Sequence, residues 1–284
     1  RCFIPREGCS LVEVDFSALE FHINACFWGD PDMIRYASDP NLDIHRDMAA
    51  RCYAIDNVKQ VTRDARFCAK SGFVFPRLYG SYYILIAQNM WEMIHDMKLT
   101  VEGVSMRKHL TRQGIERLGR CDPQREPEKG TFEYRIKEVQ EWFEEKFPVW
   151  AAKRQQWLED YRRRGWFRLL TGFKISGDYS NNFLLNSPIQ GPAFHCLLWS
   201  LIRVQRELNQ RKMKSWLIAE IHDSSLGDVP ESEIQDYLHL SKCIMTQELR
   251  KAWDWIVVPL DVEVEVSGTN WAEKVPWIER DGVW

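Results

Sequence analysis

The sequence predicts an α+β fold in which strands near both ends of the chain enclose a mostly helical middle. Apolar and polar residues alternate over residues 11–16 and again over 260–266, the period of a strand with one buried face. Between them, residues 132–164 form a long stretch rich in Glu, Lys, Arg and Trp, which favours helix. A chain of 284 residues suffices for one large domain or two small ones.

Helices are expected where apolar residues recur at helical spacing behind capping residues. They cover residues 18–28, 43–55, 62–74, 132–164 with an interruption at Pro148, 187–208 and 232–253. Ser17 is expected to cap the first helix and Pro76 to break or kink the third, while Gly165 ends the long one.

A hairpin is expected near the end of the chain, because residues 216–221 read as a strand, His222-Asp223 as a tight turn and residues 225–229 as the partner strand. Residues 81–130 are less regular, and an exposed loop is expected over residues 121–127.

Composition excludes several classes of protein. Lys and Arg total 38 and Asp and Glu 41, a net charge of −3, and no apolar run reaches the length of a membrane span. The first residues lack the apolar core of a signal peptide, and the eight cysteines form no C-x-x-C pair, so free thiols in the cytoplasm are expected. The balanced charge argues mildly against a nucleic-acid partner, although residues 153–174 are locally basic.

Two aspartates occupy positions that could carry chemistry. Asp15 ends the first strand, and Asp223 lies at the tip of the expected hairpin. If these strands were neighbours, two carboxylates would meet, an arrangement that suits a divalent cation with phosphate oxygens as further ligands. The alternative is that each aspartate only caps a turn or a helix.

A matching set of cations lies on the helices that follow. Arg66 and Lys70 are one helical turn apart and face the same way, and with His45 they could hold a triphosphate. Phe75 and Tyr79 continue that side as a possible stacking surface. The alternatives are a solvated helix face and core aromatics.

These segments together resemble the polymerase domain of family A DNA polymerases, because six motifs occur in the family's order over about residues 3–272. They are Asp15-Phe16-Ser17-Ala18-Leu19-Glu20 (D-Y-S-x-I-E), Asp43-Ile44-His45-Arg46 (D-I-H), Arg66 to Gly80 (R-x-x-x-K…F-x-x-x-Y-G), Asn186-Ser187-Pro188-Ile189-Gln190-Gly191 (N-x-P-x-Q-G), Ile221-His222-Asp223 (V-H-D) and the tail from Pro259 to Trp271.

The resemblance implies DNA synthesis with two Mg²⁺ ions held by Asp15, Asp223 and the backbone carbonyl of Phe16. His45, Arg66 and Lys70 would hold the triphosphate of a deoxynucleoside triphosphate (dNTP). Lys70 would also be the candidate proton donor to pyrophosphate.

The resemblance also implies contacts to the nucleotide and the DNA. Tyr79 would stack near the templating position, and Phe75 would pack against the incoming nucleotide. Glu20 would exclude a ribose 2′-hydroxyl. The residues expected to contact primer–template DNA are Asn186, Gln190, His222, Arg168 and Lys174, within a basic stretch from Arg162 to Lys174.

This sequence departs from the family pattern at several positions. Tyr79 comes nine positions after Lys70, whereas the family pattern has eight. One residue is therefore inserted, and a bulge near Gly72 or Pro76 could absorb it. Counting back from Tyr79 assigns the phenylalanine position of the motif to Phe75, whereas counting forward from Lys70 assigns it to Val74; Phe75 is favoured. Other departures are His22 for Arg, Ala18 for Gln, and Ser224 for the Glu that follows the second aspartate. The pattern is more phage-like than bacterial.

The resemblance divides the chain into palm (1–40), fingers (41–150, with a possible insertion at 81–130) and palm again (151–284). Because the family's thumb and exonuclease-like domains precede the first palm motif, they are expected to be absent. The chain would then be a fragment, or the C-terminal half of a split phage DNA polymerase with a second chain as partner, and would bind DNA weakly by itself. A membrane partner is not expected.

Three other functions remain as alternatives. A non-catalytic polymerase-fold scaffold would not need two facing carboxylates. A metal-dependent nuclease would need neither Arg66 with Lys70 nor a gate at Glu20, and a single-subunit RNA polymerase would be blocked by that gate.

Overall fold

The computed structural model describes residues 2–278, and its helices and strands follow the predicted α+β order. The helices are α1 (Leu19–Trp28), α2 (Pro31–Ser38), α3 (Ile44–Cys52), α4 (Arg63–Ala69), α5 (Phe75–Leu78), α6 (Tyr83–Asp96), α7 (Met106–Arg112), α8 (Phe132–Lys146), α9 (Pro148–Arg164), α10 (Asn181–Gln210), α11 (Ile234–Lys242) and α12 (Leu249–Ala252). The strands are β1 (Cys9–Phe16), β2 (Thr100–Val101), β3 (Val104–Ser105), β4 (Trp166–Arg168), β5 (Lys174–Ser176), β6 (Trp216–Ile221), β7 (Ser224–Pro230), β8 (Val262–Ser267) and β9 (Val275–Pro276).

The chain forms two compact units. One, called here the sheet unit, comprises the residues up to Gly29, the segment Trp166–Ser176, and the chain from Ser187 onward. The other, the helical unit, comprises Asp30–Gly165 and Gly177–Asn186.

The sheet unit is built on a five-stranded antiparallel sheet in the order β6-β7-β1-β8-β9. Val12, Val14 and Phe16 are buried on one face, as the alternation predicts. Helix α11 packs closely there, since a Cβ on Gly227 of β7 would lie 2.6 Å from the Tyr237 hydroxyl. The other face of β1 carries Glu13 and Asp15.

The helical unit is organised by α3, α4, α6 and α8. The buried carboxylate of Asp30 joins two helix starts, because one oxygen accepts from the backbone amides of Asp32 and Met33 in α2 and the other from Val149 and Trp150 in α9. Here α8 and α9 meet at Pro148, the predicted interruption, and Gly165 ends α9 at φ 73°.

Three predicted details are wrong. Ser17 does not cap α1, because the chain enters the helix through Ala18 in a left-handed conformation (φ 51°) without a side-chain cap. The third helix neither ends at Val74 nor breaks at Pro76, because the chain remains helical to Leu78. Helix α10 starts at Asn181, and Pro188 lies inside it rather than opening it.

The described residues contain eight free cysteines and no helix long and apolar enough to cross a membrane.

Candidate functional site

The predicted carboxylates of the sheet unit lie on neighbouring strands. Asp15 near the end of β1 is paired in antiparallel register with Ser224, the first residue of β7, and Asp223 precedes that residue. The Phe16 amide donates to the Asp223 carbonyl at 3.3 Å. Asp223 belongs to a two-residue turn in which His222 adopts a left-handed conformation (φ 58°). The pairing therefore brings Asp15 and Asp223 together, as expected.

The environment of Asp15 disfavours its negative charge. Burial, then the charge and a hydrogen bond of Asp223, and then the charges of Glu263 and Glu13 raise the pKa of Asp15 to about 7. One carboxylate oxygen, Oδ1, is buried with no hydrogen-bond partner among the described residues. A divalent cation would relieve both the repulsion and the unmet oxygen, so these residues fit such an ion.

Further acidic residues share this sheet face, and the sequence predictions did not include them. Glu263 of β8 pairs with Asp15, and Glu265 pairs with Glu13. The ammonium of Lys274 contacts both Glu13 and Glu265. Burial by itself would lower the pKa of Lys274, but hydrogen bonds to the two glutamates raise it, so this side chain is a cation. The alternating acids of β8 could have revealed this face.

Glu20, the predicted gate, lies in the first turn of α1 and is half-buried. Its carbonyl accepts a hydrogen bond from the Asn24 side chain at 2.9 Å, within the same helix.

In the helical unit, Asp43 organises the expected triphosphate residues. Its Oδ1 accepts from the backbone amides of His45 and Arg46 at the start of α3, and its Oδ2 accepts from Arg66 Nε at 2.6 Å. Burial by itself would raise the pKa of Asp43, but the hydrogen bonds from Arg66 and Arg46 hold it below its ordinary value. The Arg66 guanidinium is thereby fixed in position.

His45 differs from the expectation that it is a cation. Burial, and then the positive charges of Arg66 and Lys70, lower the pKa of His45 to about 3. The imidazole is neutral at pH 7, so Arg66 and Lys70 are the charged members of the predicted triphosphate group.

The inserted residue between Lys70 and Tyr79 is absorbed by a π-helical turn over Lys70–Val74. The Phe75 amide donates to the Lys70 carbonyl, five residues earlier. Beyond this turn the Phe75 ring lies 5.5 Å from Lys70 Nζ and 6.1 Å from the Tyr79 ring, in a stacked orientation, while Val74 is fully buried.

The Phe75 ring also meets the His45 ring edge-on at 5.7 Å. The π-helical turn thus groups Lys70, Phe75 and Tyr79 on one side and turns Val74 into the core. Gly72 permits this packing, because a Cβ there would lie 2.8 Å from Met90 Cγ of α6.

The residues expected to contact DNA are distributed over the two units. Arg168 and Lys174 are exposed, pair with each other across the β4–β5 hairpin, and lie 6.0 and 5.0 Å from the Trp166 ring. This hairpin packs on α10 of the same unit, where the Thr171 hydroxyl is 2.6 Å from His195 Nδ1.

Of the three remaining predicted DNA contacts, His222 lies in the turn beside Asp223, and the other two lie on α10. Gln190 is exposed and belongs to the sheet unit, whereas Asn186 belongs to the helical unit. The Oδ1 of Asn186 is buried without a hydrogen-bond partner among the described residues.

A cleft of about 700 Å³ in the helical unit is lined by none of the predicted site residues. Its walls come from α3, the end of α7 and the start of α8.

A family model described as DNA polymerase family A matches residues 1–97 and 129–273. The chain belongs to this family. Its relatives include the DNA polymerase I of Chloroflexus aurantiacus, 26% identical over 97% of this chain and 25% of that protein. The DNA polymerase I of Lactococcus lactis subsp. cremoris is 27% identical over 96% of this chain and 27% of that protein. The family A chain described here thus spans about a quarter of the length of these relatives.

A solved structure of the same fold is the POL domain of Pol1 from M. smegmatis, in complex with a DNA primer-template and dNTP. It matches 94% of this chain and 41% of that one with a TM-score of 0.67 and 19% sequence identity. The fold of this family A chain is therefore that of a polymerase domain. The family model leaves residues 98–128 unmatched.

Proposed function

We propose that the chain catalyses template-directed DNA synthesis: the 3′-hydroxyl of a primer attacks the α-phosphorus of a dNTP, a phosphodiester bond forms, and pyrophosphate leaves. The observation that carries this proposal is the position of Asp15 beside Asp223 on neighbouring strands of a family A chain. The half-buried pair, with its raised Asp15 pKa, suits divalent cations.

The cations are proposed to be two Mg²⁺ ions held by Asp15, Asp223 and the backbone carbonyl of Phe16. When bound, they would lower the pKa of the primer hydroxyl and neutralise charge on the departing pyrophosphate.

Arg66 and Lys70 are proposed to bind the triphosphate. Asp43 holds Arg66 so that its remaining guanidinium nitrogens are presented in a fixed orientation, which favours bidentate contacts to phosphate. Lys70 supplies a point charge and a proton for the leaving pyrophosphate. His45 acts as an uncharged hydrogen-bonding group, because it is neutral at pH 7.

Phe75 and Tyr79 are proposed to pack against the incoming nucleotide and near the templating base, since the π-helical turn places both on the side of Lys70. Glu20 is proposed to exclude the ribose 2′-hydroxyl by its size. Asn186, Gln190, His222, Arg168 and Lys174 are the proposed contacts to primer and template.

The sheet unit is accordingly proposed to be the palm and the helical unit the fingers. The chain is also proposed to be part of a phage DNA polymerase, and only the resemblance of its motifs supports this. Because the chain spans about a quarter of its relatives, a further protein region is proposed to grip the duplex.

The test is template-directed incorporation of a single nucleotide, measured with Mg²⁺ and excess protein so that weak DNA binding does not hide the chemistry. Each dNTP is offered opposite each templating base. Incorporation of only the complementary nucleotide by the parent, and none by Asp15→Ala, is expected. Absence of incorporation by the parent, also when the N-terminal region of a relative is added, would favour the scaffold alternative.

A further inference from the structure

Glu13, two residues before Asp15 in β1, is the centre of a hydrogen-bonded cluster beside the carboxylate pair. Its Oε1 lies 3.2 Å from the hydroxyl of Ser224, and its Oε2 accepts from the Trp271 indole nitrogen at 2.6 Å and from the Lys274 ammonium. The Glu13 side chain is 14% exposed, so these partners replace most of its water.

The Ser224 hydroxyl connects this cluster to the turn that carries Asp223. It lies 3.0 Å from the Ile221 carbonyl at the other end of the turn. The turn includes His222 at φ 58°, a left-handed conformation that is unfavourable for a non-glycine residue and persists only when its surroundings fix it. The single proton of the Ser224 hydroxyl is shared between two acceptors, the Ile221 carbonyl and the Glu13 carboxylate, and these two contacts brace the end of the turn next to Asp223.

The C-terminal segment secures Glu13 in turn. The Trp271 amide donates to the Phe3 carbonyl at 3.0 Å, and the two rings meet edge-on at 5.8 Å. Lys274 bridges Glu13 and Glu265 on adjacent strands. The carboxylate of Glu13 is thus held by side chains that are themselves anchored.

We propose that Glu13 is a positioning residue, which sets the Asp223 turn through Ser224 so that Asp15 and Asp223 are pre-arranged to bind a divalent cation. The inference rests on the proposed function, since it assumes that this pair is the metal site. Partners of metal ligands typically contribute about 10- to 100-fold to metal affinity.

Mn²⁺ affinity in the absence of DNA and nucleotide tests the proposal, with binding followed by electron paramagnetic resonance. Glu13→Gln and Ser224→Ala are each expected to weaken Mn²⁺ binding by about tenfold. Because both act through one contact, the double variant is expected to lose no more than either single variant. Glu265→Gln is the matched control, since it removes the same charge from the same face without touching Ser224, and its amide oxygen can still accept a hydrogen bond from Lys274.

Amide hydrogen exchange of the metal-free protein gives a second measurement. The Phe16 amide donates to the Asp223 carbonyl, so its exchange is expected to accelerate in Glu13→Gln and Ser224→Ala and not in Glu265→Gln. A merely structural role would instead lower the thermal midpoint without a selective effect at Phe16.

Parent-like Mn²⁺ affinity in Glu13→Gln would overturn the proposal, as would an equal loss in Glu265→Gln, which would mean that only charge matters. If Glu13→Gln does not fold, the Mn²⁺ affinity and the Phe16 amide exchange of Ser224→Ala test the proposal instead. Failure of the proposed function looks different: the parent and Asp223→Asn would then bind Mn²⁺ equally poorly.

Discussion

His45 is a titratable side chain that this fold keeps neutral. The sequence places it beside Arg66 and Lys70, and the three were expected to act together as cations. Burial and the two neighbouring charges instead lower the pKa of His45 to about 3. The prediction that His45 is a cation is therefore wrong, because its burial and its distance from the two charges follow only from the tertiary structure.

The ionised form of Asp15 destabilises the metal-free folded protein. Its folded-state pKa, about 7, lies above the value of 3.8 expected in the unfolded chain, so the folded protein binds a proton more tightly between these pH values. The resulting loss of free energy of unfolding is absent at pH 3, grows as the pH rises towards 7 and is constant above pH 7.

In EDTA at pH 8, Asp15→Asn is therefore expected to raise the thermal midpoint above that of the parent. With Mg²⁺ present, the same variant is expected to lose nucleotide incorporation. The gain in thermal midpoint should shrink as the pH falls from 7 towards 4, and scanning calorimetry at several pH values measures it. A midpoint unchanged at pH 8 would show that Asp15 and Asp223 do not repel each other in the metal-free protein.

Glu20 is predicted to select the sugar by size rather than by charge. Glu20→Ala should improve incorporation of a ribonucleotide relative to the matching deoxynucleotide by about tenfold or more, since a clash of about 1.4 kcal/mol already changes a rate ratio tenfold. Glu20→Gln retains the size and should retain the selection. Ratios of kcat/KM measure both, and equal relaxation in the two variants would rule out a steric gate.

At the scale of elements, the π-helical turn over Lys70–Val74 is the clearest departure from a regular helix. The sequence count revealed one inserted residue, and a bulge near Gly72 or Pro76 was expected; the structure confirms that bulge. It also explains why Pro76 does not end the helix, because the π-helical turn before Pro76 widens the backbone where its ring would otherwise clash with the preceding turn.

The π-helical turn assigns different roles to two adjacent side chains. Phe75→Ala should weaken dNTP binding and leave the free energy of unfolding nearly unchanged, because the ring is only half-buried. Val74→Ala should lower that free energy by roughly 2 kcal/mol, because it empties space in the core, and leave dNTP affinity unchanged. Urea unfolding and nucleotide titration measure the two effects, and the reverse pattern would favour Val74 as the nucleotide contact.

The β4–β5 hairpin supplies a local positive charge that the whole-chain balance conceals. If Arg168 and Lys174 contact phosphates, each substitution by Gln should reduce the slope of log affinity against log salt by about 0.9 for duplex DNA. Lys59→Gln, at an exposed site outside the predicted contacts, is the control and should leave the slope unchanged. Fluorescence anisotropy at several salt concentrations gives the slopes. If all variants have the same slope as the parent, Arg168 and Lys174 do not contact phosphates of the DNA.

Strands were more predictable than helix ends in this chain. Alternation located β1 and β8, because a sheet with one buried face imposes a period of two, and the turn at His222-Asp223 between two short strand-like segments located the β6–β7 hairpin. Local rules placed the start of α10 at Ser187 because proline favours a first turn. Buried residues on both sides of Pro188, including Leu184 and Ile189, show that tertiary packing extends the helix through it.

At the scale of the whole molecule, the order of the sequence motifs indicates the family, whereas the amino-acid composition does not. A net charge of −3 argues against DNA as a partner, whereas the ordered motifs predict a polymerase, and family membership agrees with the motifs. The alternating acids of β8 indicate an acidic sheet face, but the sequence does not show which residues meet there, because the antiparallel register of β1 and β8 sets Glu263 opposite Asp15.

The central claim is that the Asp15–Asp223 pair carries nucleotidyl transfer. The most direct measurement is the single-turnover rate of correct dNTP incorporation, with protein in excess over primer–template, for the parent, Asp223→Asn and the exposed-site control Glu231→Gln. The account predicts equal rates for the parent and Glu231→Gln, and a rate for Asp223→Asn lower by at least about 10³-fold, the scale on which enzymes lose a key electrostatic group. Incorporation by Asp223→Asn at the parent's rate would contradict it.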